Sequence, residues 1–388
     1  MGRRLLPGIE RVIPPVQQKA IKLLRSRNFF GEIRKPLSWQ GLVGPFSTAI
    51  LTYNAAVSAS LNSPLDPSPH DPLNVILAGP TSADTNFFAN QVLRLVPPEA
   101  ICEITSTAED ARASRNDSCK GKILFLHDDR RGRAPAQFVL SRKGLLAQTV
   151  EADKRVTHIV AQGPFATIAT SAANLQIGTE VPYISAWVGS PTQDRPALKQ
   201  PVLSDWDLGI WHEAYRLLAE RCHWLFFNSS WVDSISDLVP RNSVAGCNLR
   251  ILTGIMKMSA IIRSFRNRFI GGNPIWQSFL SVDFQDYCIA AAILNGVLAD
   301  DHHREQCDGE GRPAVTTKSR VPTAGGIARA NRAAMNGDKL VQAVPLRSKL
   351  FPSPEGLIET KSWAHPIEFV HPLTGELVTV SPRKKRSA

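Results

Sequence analysis

The chain has no CxxC pair and no GxSxG segment, and only 7% of its residues are aromatic. The first absence argues against paired-cysteine zinc sites and thioredoxin-type redox chemistry. The second removes the nucleophile elbow of a serine hydrolase. Six cysteines in 388 residues, at 102, 119, 222, 247, 288 and 307, are too sparse for a disulfide scaffold, so reduced thiols are expected. The N-terminus is basic but lacks the apolar run of a signal peptide, and Leu6 stands where a myristoylation signal wants Ser or Thr. Charge is missing altogether from Pro36 to Leu65. That stretch contains Gln40, Asn54 and Asn62, so a buried helix over about Phe46 to Leu61 fits better than a membrane span. Twenty-eight scattered prolines exclude a coiled coil. A cytoplasmic protein without a membrane partner is expected.

Hydrophobic residues make up 43% and charged residues 20%, the balance of a globular protein with two or three domains. The net charge of +11 leans toward a polyanionic partner. Its excess is concentrated. Residues 1–45 carry nine cations, among them Arg25, Arg27, Arg34 and Lys35, against Glu10 and Glu32. From Arg250 to Arg268 there are five cations and no acid, with Lys257, Arg263, Arg266 and Arg268 flanking an apolar helical stripe. A core helix with a solvated basic face is the plain reading of that stretch, and contact with nucleic acid the functional one. Asp300, Asp301, His302, His303 and Cys307 close no metal-ligand set at helical spacing.

The segment 63–72 packs four prolines into ten positions and reads as a linker. Beyond it, NVILAGP (74–80), KILFLHDD (122–129) and PFATIATSA (164–172) are short apolar runs that predict buried strands. With helical patterns between them and no hairpin signal, they predict a parallel α/β sheet. From Trp206 the pattern turns helical, and beyond residue 300 it weakens. The boundaries expected are a basic helical region at 1–66, an α/β domain at 67–200, a helical domain at 201–300 and a largely irregular basic region at 301–388.

Gly79 to Asn86, GPTSADTN, lies between a strand and a helix, where a phosphate-binding loop would sit. Asp128 and Asp129 close the next strand, where a magnesium-binding acid pair belongs. Taken with GLVG (41–44), TYNAAVSASLNSPL (52–65), VLRLVPPE (92–99), FVLSRKGLLAQ (138–148), QGPFATIATSA (162–172) and ILTGIMKMSAIIRSFRNR (251–268), these pieces stand in the order found in one family. The chain resembles the helicase-like P-loop ATPases of phage and integrated-element primase/helicase proteins. That resemblance implies a P-loop NTPase-like core of the ASCE type, with a degenerate nucleotide site built from Gly79, Thr81, Ser82, Thr85, Asn86, Asp128, Asp129 and Thr170. It also implies a polar sensor at Thr170 and Ser171.

The departures are chemical. Asp84, Thr85 and Asn86 replace the second Gly, the Lys and the magnesium-ligating Ser/Thr of GxxxxGK[ST]. Tyr183 falls where the family carries an arginine. The expectation is therefore a DNA-associated replication protein without catalytic residues, cofactor or ATP hydrolysis, contacting DNA phosphates without sequence preference, with a homologous ATPase or replication protein as a candidate partner. Two rivals stand beside it. One is an active ATPase or helicase that binds ATP and magnesium through an unorthodox loop, with Lys122 as substitute cation. The other is a protein–protein adaptor with no nucleic-acid role.

Overall fold

The computed structural model describes residues 13–42, 45–61, 72–105, 119, 121–127, 137–141, 144–151, 154–162, 165–171, 177–179, 183–188, 203–220, 224–227, 243–266, 279–307 and 367–380. Asp128, Asp129 and Arg268 lie outside the described residues.

Three short helices open the chain: α1 (Pro15–Leu24), α2 (Phe29–Glu32) and α3 (Arg34–Trp39). Pro15 starts α1 at the position where its missing N–H has no partner to lose. Next comes α4 (Phe46–Ser58), buried at every position from Ser47 to Ser58. Its polar groups turn back on the helix: Thr52 Oγ1 donates to Thr48 O at 2.7 Å and Asn54 Nδ2 to Ile50 O at 2.9 Å. An uncharged sequence is what such an all-round burial demands. No helix among the described residues is long and apolar enough to cross a membrane.

The core is α/β, as the sequence predicts. Strands β1 (Val75–Ala78), β2 (Ile101–Thr105) and β3 (Ile123–His127) are followed by β4 (Gln137–Ser141), β5 (Gly144–Glu151) and β6 (Lys154–Gln162). Then come β7 (Ala166–Ser171), β8 (Ile177–Thr179) and β9 (Ile184–Trp187). Five of these form one all-parallel sheet in the order β2-β3-β7-β1-β9. The three expected strands thus share a sheet, with Leu77 opposite Thr170 and Leu126 opposite Ala169. Asn74 ties its entry end: its Oδ1 accepts from Thr167 N at 3.0 Å and its carbonyl from Ile184 N at 2.9 Å.

The expectation of no hairpins fails between β3 and β7. There β4, β5 and β6 form an antiparallel meander, with β8 parallel to β4, as a second four-stranded sheet. The two residues between β4 and β5, 142 and 143, are Arg-Lys in the sequence, a pair with none of the Gly, Asn or Asp that usually announces a hairpin. The thiols also differ from expectation, since Cys102 on β2 is bonded to Cys119 with a Cα–Cα distance of 6.0 Å. β2 brings the two positions within reach, a juxtaposition that spacing in the sequence does not reveal.

Helix α5 (Ser82–Leu93) follows β1, and α6 (Asp205–Glu220), α7 (Ser243–Ser264) and α8 (Phe284–Cys307) complete the helical layer. A parallel pair, β10 (Trp224–Phe227) and β11 (Phe279–Val282), and an antiparallel pair, β12 (Ile367–Val370) and β13 (Leu377–Val380), complete the described elements. The hairpin β12–β13 stands inside the region whose sequence reads as irregular. Phe369 and Val380 join the common core, and Leu373 at its tip sits on Gly296 of α8, where a Cβ would come within 2.5 Å of Leu373 Cδ1 and 2.8 Å of Ser47 Cβ. Gly296 is what allows α8 to approach both so closely.

Tyr53 of α4 is wholly buried against Phe29 and Trp211, with ring centroids 6.2 and 5.8 Å away. Its hydroxyl has no hydrogen-bond partner, and burial, with Tyr215 adding to it, raises its pKa far beyond the phenol range. Tyr53→Phe should therefore leave stability unchanged or raise it by about 1 kcal/mol, because it removes an unsatisfied polar atom and no packing. Urea unfolding reads this directly. A loss above about 1 kcal/mol would show that the hydroxyl is bonded in solution.

Candidate functional site

Parallel strands end together, so the carboxyl edge of the main sheet gathers Gly79, Thr170, Ser171 and His127. That edge is where open α/β sheets hold ligands. β7 lies between β1 and β3, so Thr170 stands one strand away from the Gly79 loop and one strand away from the end of β3.

A phosphate-binding loop wraps backbone amides around the anion and leaves the amides of the helix N-terminus to it. Here only Gly79, Pro80 and Thr81 separate β1 from α5, and the helix is already under way at Ser82. Pro80 offers no N–H. Thr81 is the N-cap: its Oγ1 accepts from Asp84 N at 3.1 Å and donates to Asp84 Oδ2 at 2.7 Å. An amide that would face a phosphate is thus spent on a side chain, with a carboxylate standing beside it. Asp84 is only 6% exposed.

Thr85, at the lysine position, is fully buried, and its Oγ1 donates to Ser82 O at 3.1 Å and more weakly to Thr81 O at 3.4 Å. Asn86, at the magnesium-ligand position, accepts from the hydroxyl of Thr170. The loop, the first helical turn and the sensor position are therefore bonded to one another. The loop is closed on itself.

β3 ends at His127, whose ring stacks on Phe125 at 5.3 Å and whose Nε2 lies 2.9 Å from Glu103 Oε1 without hydrogen-bond alignment. Lys122 precedes β3 and so stands at the opposite edge of the sheet, about 16 Å from the carboxyl ends at roughly 3.3 Å per residue. It is not placed to replace the missing cation. Tyr183 precedes β9 at that same far edge. Among the described residues no group of three or more His, Cys, Asp or Glu is placed to hold a metal ion.

The cations divide into two kinds. Arg25, Arg27, Arg34 and Lys35 are exposed on α1–α3, together with Lys19 and Lys22. Arg25 Nε also donates to Phe265 O at 3.2 Å, Arg34 lies 4.6 Å over the Phe46 ring, and Lys35 pairs with Glu32 at 2.6 Å.

Helix α7 differs from its predicted solvated basic face. From Ile251 to Arg266 no residue is exposed, and Lys257, Arg263 and Arg266 are half-buried. Arg263 points inward, with Nη2 at 2.9 Å and Nε at 3.3 Å from the two Asp286 oxygens and Nη1 at 2.9 Å from Asp283 Oδ2. Burial pulls its pKa down, but the charge and hydrogen bonds of Asp286, then Asp283, more than restore it and leave it above the usual arginine value. Burial, with the nearby Arg263 charge second, lowers Arg266, whose Nε has no partner. Arg263 is thus engaged by the fold. The acids that answer it lie on and before α8, beyond the reach of any helical periodicity within α7.

The helical pattern from residue 206 reads its tryptophans, Trp206 and Trp211 among them, as core rather than as base-stacking surfaces, and gives no reading of Trp39. Trp39 and Trp206 are exposed, at 41% and 46%, whereas Trp211 is a core residue at 6%.

These features define the class: an α/β protein with a parallel, helix-flanked sheet consistent with a P-loop NTPase-like core. No family model matches the chain, and no curated protein does. Among solved structures, a full-length MCM homolog from Methanopyrus kandleri matches at 12% identity and a TM-score of 0.42. The match covers 74% of this chain and 62% of that one. A likeness so distant decides neither mechanism nor partner.

Proposed function

We propose that this chain is a DNA-associated protein of the replication machinery of a phage or mobile element, built on a P-loop-like core that does not hydrolyse ATP. The observation that carries the proposal is the closed loop. The Thr81 hydroxyl takes up the Asp84 amide and holds the Asp84 carboxylate at the start of the helix, and Thr85 is folded into the helix where a cation would be needed. An aspartate there would repel a polyphosphate. The role left to such a core is structural: it orders the flanking helices and presents the cations of α1–α3 to nucleic-acid phosphates. Phosphate contacts of this kind position a protein without reading sequence.

ATP turnover by the purified protein should stay at background with magnesium, with or without DNA. Turnover that disappears in the Asp128→Ala/Asp129→Ala variant would refute the non-hydrolysing reading and restore an active ATPase. Nucleic-acid association is tested separately by anisotropy titration. A protein that ignores both duplex and single strands at about 50 mM salt would be an adaptor instead.

A further inference from the structure

We propose that the cavity between α1, α3 and α6 receives a nucleotide of single-stranded nucleic acid, with Trp39 and Trp206 as base-stacking surfaces and Lys19, Lys22 and Arg25 as the phosphate contacts. This rests on the nucleic-acid reading above and adds to it the strand form and the seat.

The cavity measures about 570 Å³. That falls within the roughly 300–1,000 Å³ of sites that enclose small molecules, enough for a nucleotide and unlike the flat track that binds a duplex backbone. Leu23, Pro36, Leu203, Ile210 and Trp211 supply apolar wall. Four cations line it, Lys19, Lys22, Arg25 and Lys35, against two acids, Glu32 and Asp207. Glu32 is held by Lys35 at 2.6 Å, whereas Asp207 Oδ2 accepts from Ser204 Oγ at 2.6 Å in the N-terminal cap of α6, a bond that leaves its charge in place. With the Lys35–Glu32 pair set aside, Lys19, Lys22 and Arg25 outnumber Asp207 and keep the cavity positive.

Trp39 lines the cavity, and Trp206, next to the lining residue Asp207, carries over its ring the Nζ of another lining residue, Lys19, at 5.2 Å from the centroid. Two exposed indoles flanking a basic hollow are a poor use of surface unless something covers them. A duplex turns its bases inward and offers only phosphates, leaving both rings without a partner. A single strand offers base faces and phosphates at alternate steps, and an aromatic surface within a cationic groove is how proteins hold it. An acidic peptide would satisfy the lysines but not the indoles.

The test uses the full chain and a labelled oligothymidylate of about 15 nucleotides, at the upper end of single-strand site sizes. A duplex of equal length and polyglutamate are the comparison ligands. The single strand should bind tighter than the duplex, and polyglutamate weakest. Trp39→Ala with Trp206→Ala should weaken single-strand binding by about 10- to 100-fold, as lost stacking predicts, and leave its salt dependence unchanged. Trp39→Phe with Trp206→Phe should keep most of the affinity. Lys19→Ala with Lys22→Ala should do the reverse of the Trp→Ala pair, flattening the salt dependence. Both indoles are exposed, so an unchanged melting curve is expected for each variant. If the wild-type protein binds DNA but the Trp→Ala pair binds the single strand equally well, the seat is wrong and the broader reading stands. Equal affinity for polyglutamate also overturns the seat. If the wild-type protein binds neither strand form, the nucleic-acid reading itself falls.

Discussion

Asp286→Ala should lower the free energy of unfolding by about 3–5 kcal/mol, seen as a fall in the urea midpoint at unchanged slope. The Asp286 carboxylate is wholly buried and accepts from Ser259 Oγ at 2.8 Å, from Asp283 N at 2.8 Å and twice from Arg263. It therefore does two things at once. It accepts from the backbone amide of Asp283 just before α8, and it answers a guanidinium from α7. Alanine leaves Arg263 half-enclosed with Asp283 alone, and strands the serine hydroxyl and the cap amide. The expected loss comes mostly from those orphaned groups. Arg263→Met combined with Asp286→Leu should accordingly recover much of it, since two apolar side chains need no partners. A loss below about 1 kcal/mol for Asp286→Ala would show that water reaches the pair in solution and that Arg263 is available to a ligand after all.

Nucleic-acid binding should fall steeply with salt. Four to six phosphate contacts give a slope of about −3 to −4 in log K against log salt for a single strand, and about −4 to −5 for a duplex. Between about 50 and 200 mM salt the single-strand affinity should drop by roughly 50- to 300-fold. The cations that carry this are those exposed on α1–α3, so Lys22→Ala, Arg27→Ala and Arg34→Ala together should flatten the single-strand slope by about 2. Arg263→Ala should act on stability and leave the slope alone, because its charge already answers Asp286 and Asp283. A slope that collapses on Arg263→Ala in a folded protein, or survives the triple change, would move the interface from α1–α3 to α7.

Three of the five strands of the main sheet, β1, β3 and β7, are legible as short apolar runs with strong punctuation, Gly79-Pro80 after β1 above all, whereas β2 (ICEIT) and β9 (ISAW), each broken by polar residues, give no such signal. Those signals are local, and local signals survive in a sequence. The meander of β4 to β6 was hidden because an Arg-Lys connection looks like ordinary surface. Arg263 was misjudged for the opposite reason: its surroundings within α7 contain no acid, and the acids that bind it arrive from 20 and 23 residues further on. The closed loop was readable and still missed. Thr81-x-x-Asp84 is a capping-box pattern in plain sequence, but beside Gly79 the same residues resemble a damaged phosphate loop, which masks the helix start. The two exposed indoles had no sequence signal at all, since a tryptophan in a helical pattern looks the same whether it faces the core or the solvent.

The seating of Leu373 against Gly296 and Ser47 has a consequence for how the chain is made. The tip of the β12–β13 hairpin closes on two helices, one of which left the ribosome roughly 300 residues earlier. At about 5–20 residues per second, that interval is about 15–60 s. For most of it α4 waits without α8, and once α8 has emerged the crevice that the two helices form has no occupant from its own chain until Leu373 is made. The nascent protein thus carries an open notch between α4 and α8 until translation passes residue 380, which makes that notch a natural point of contact for a chaperone and a hazard when synthesis stalls.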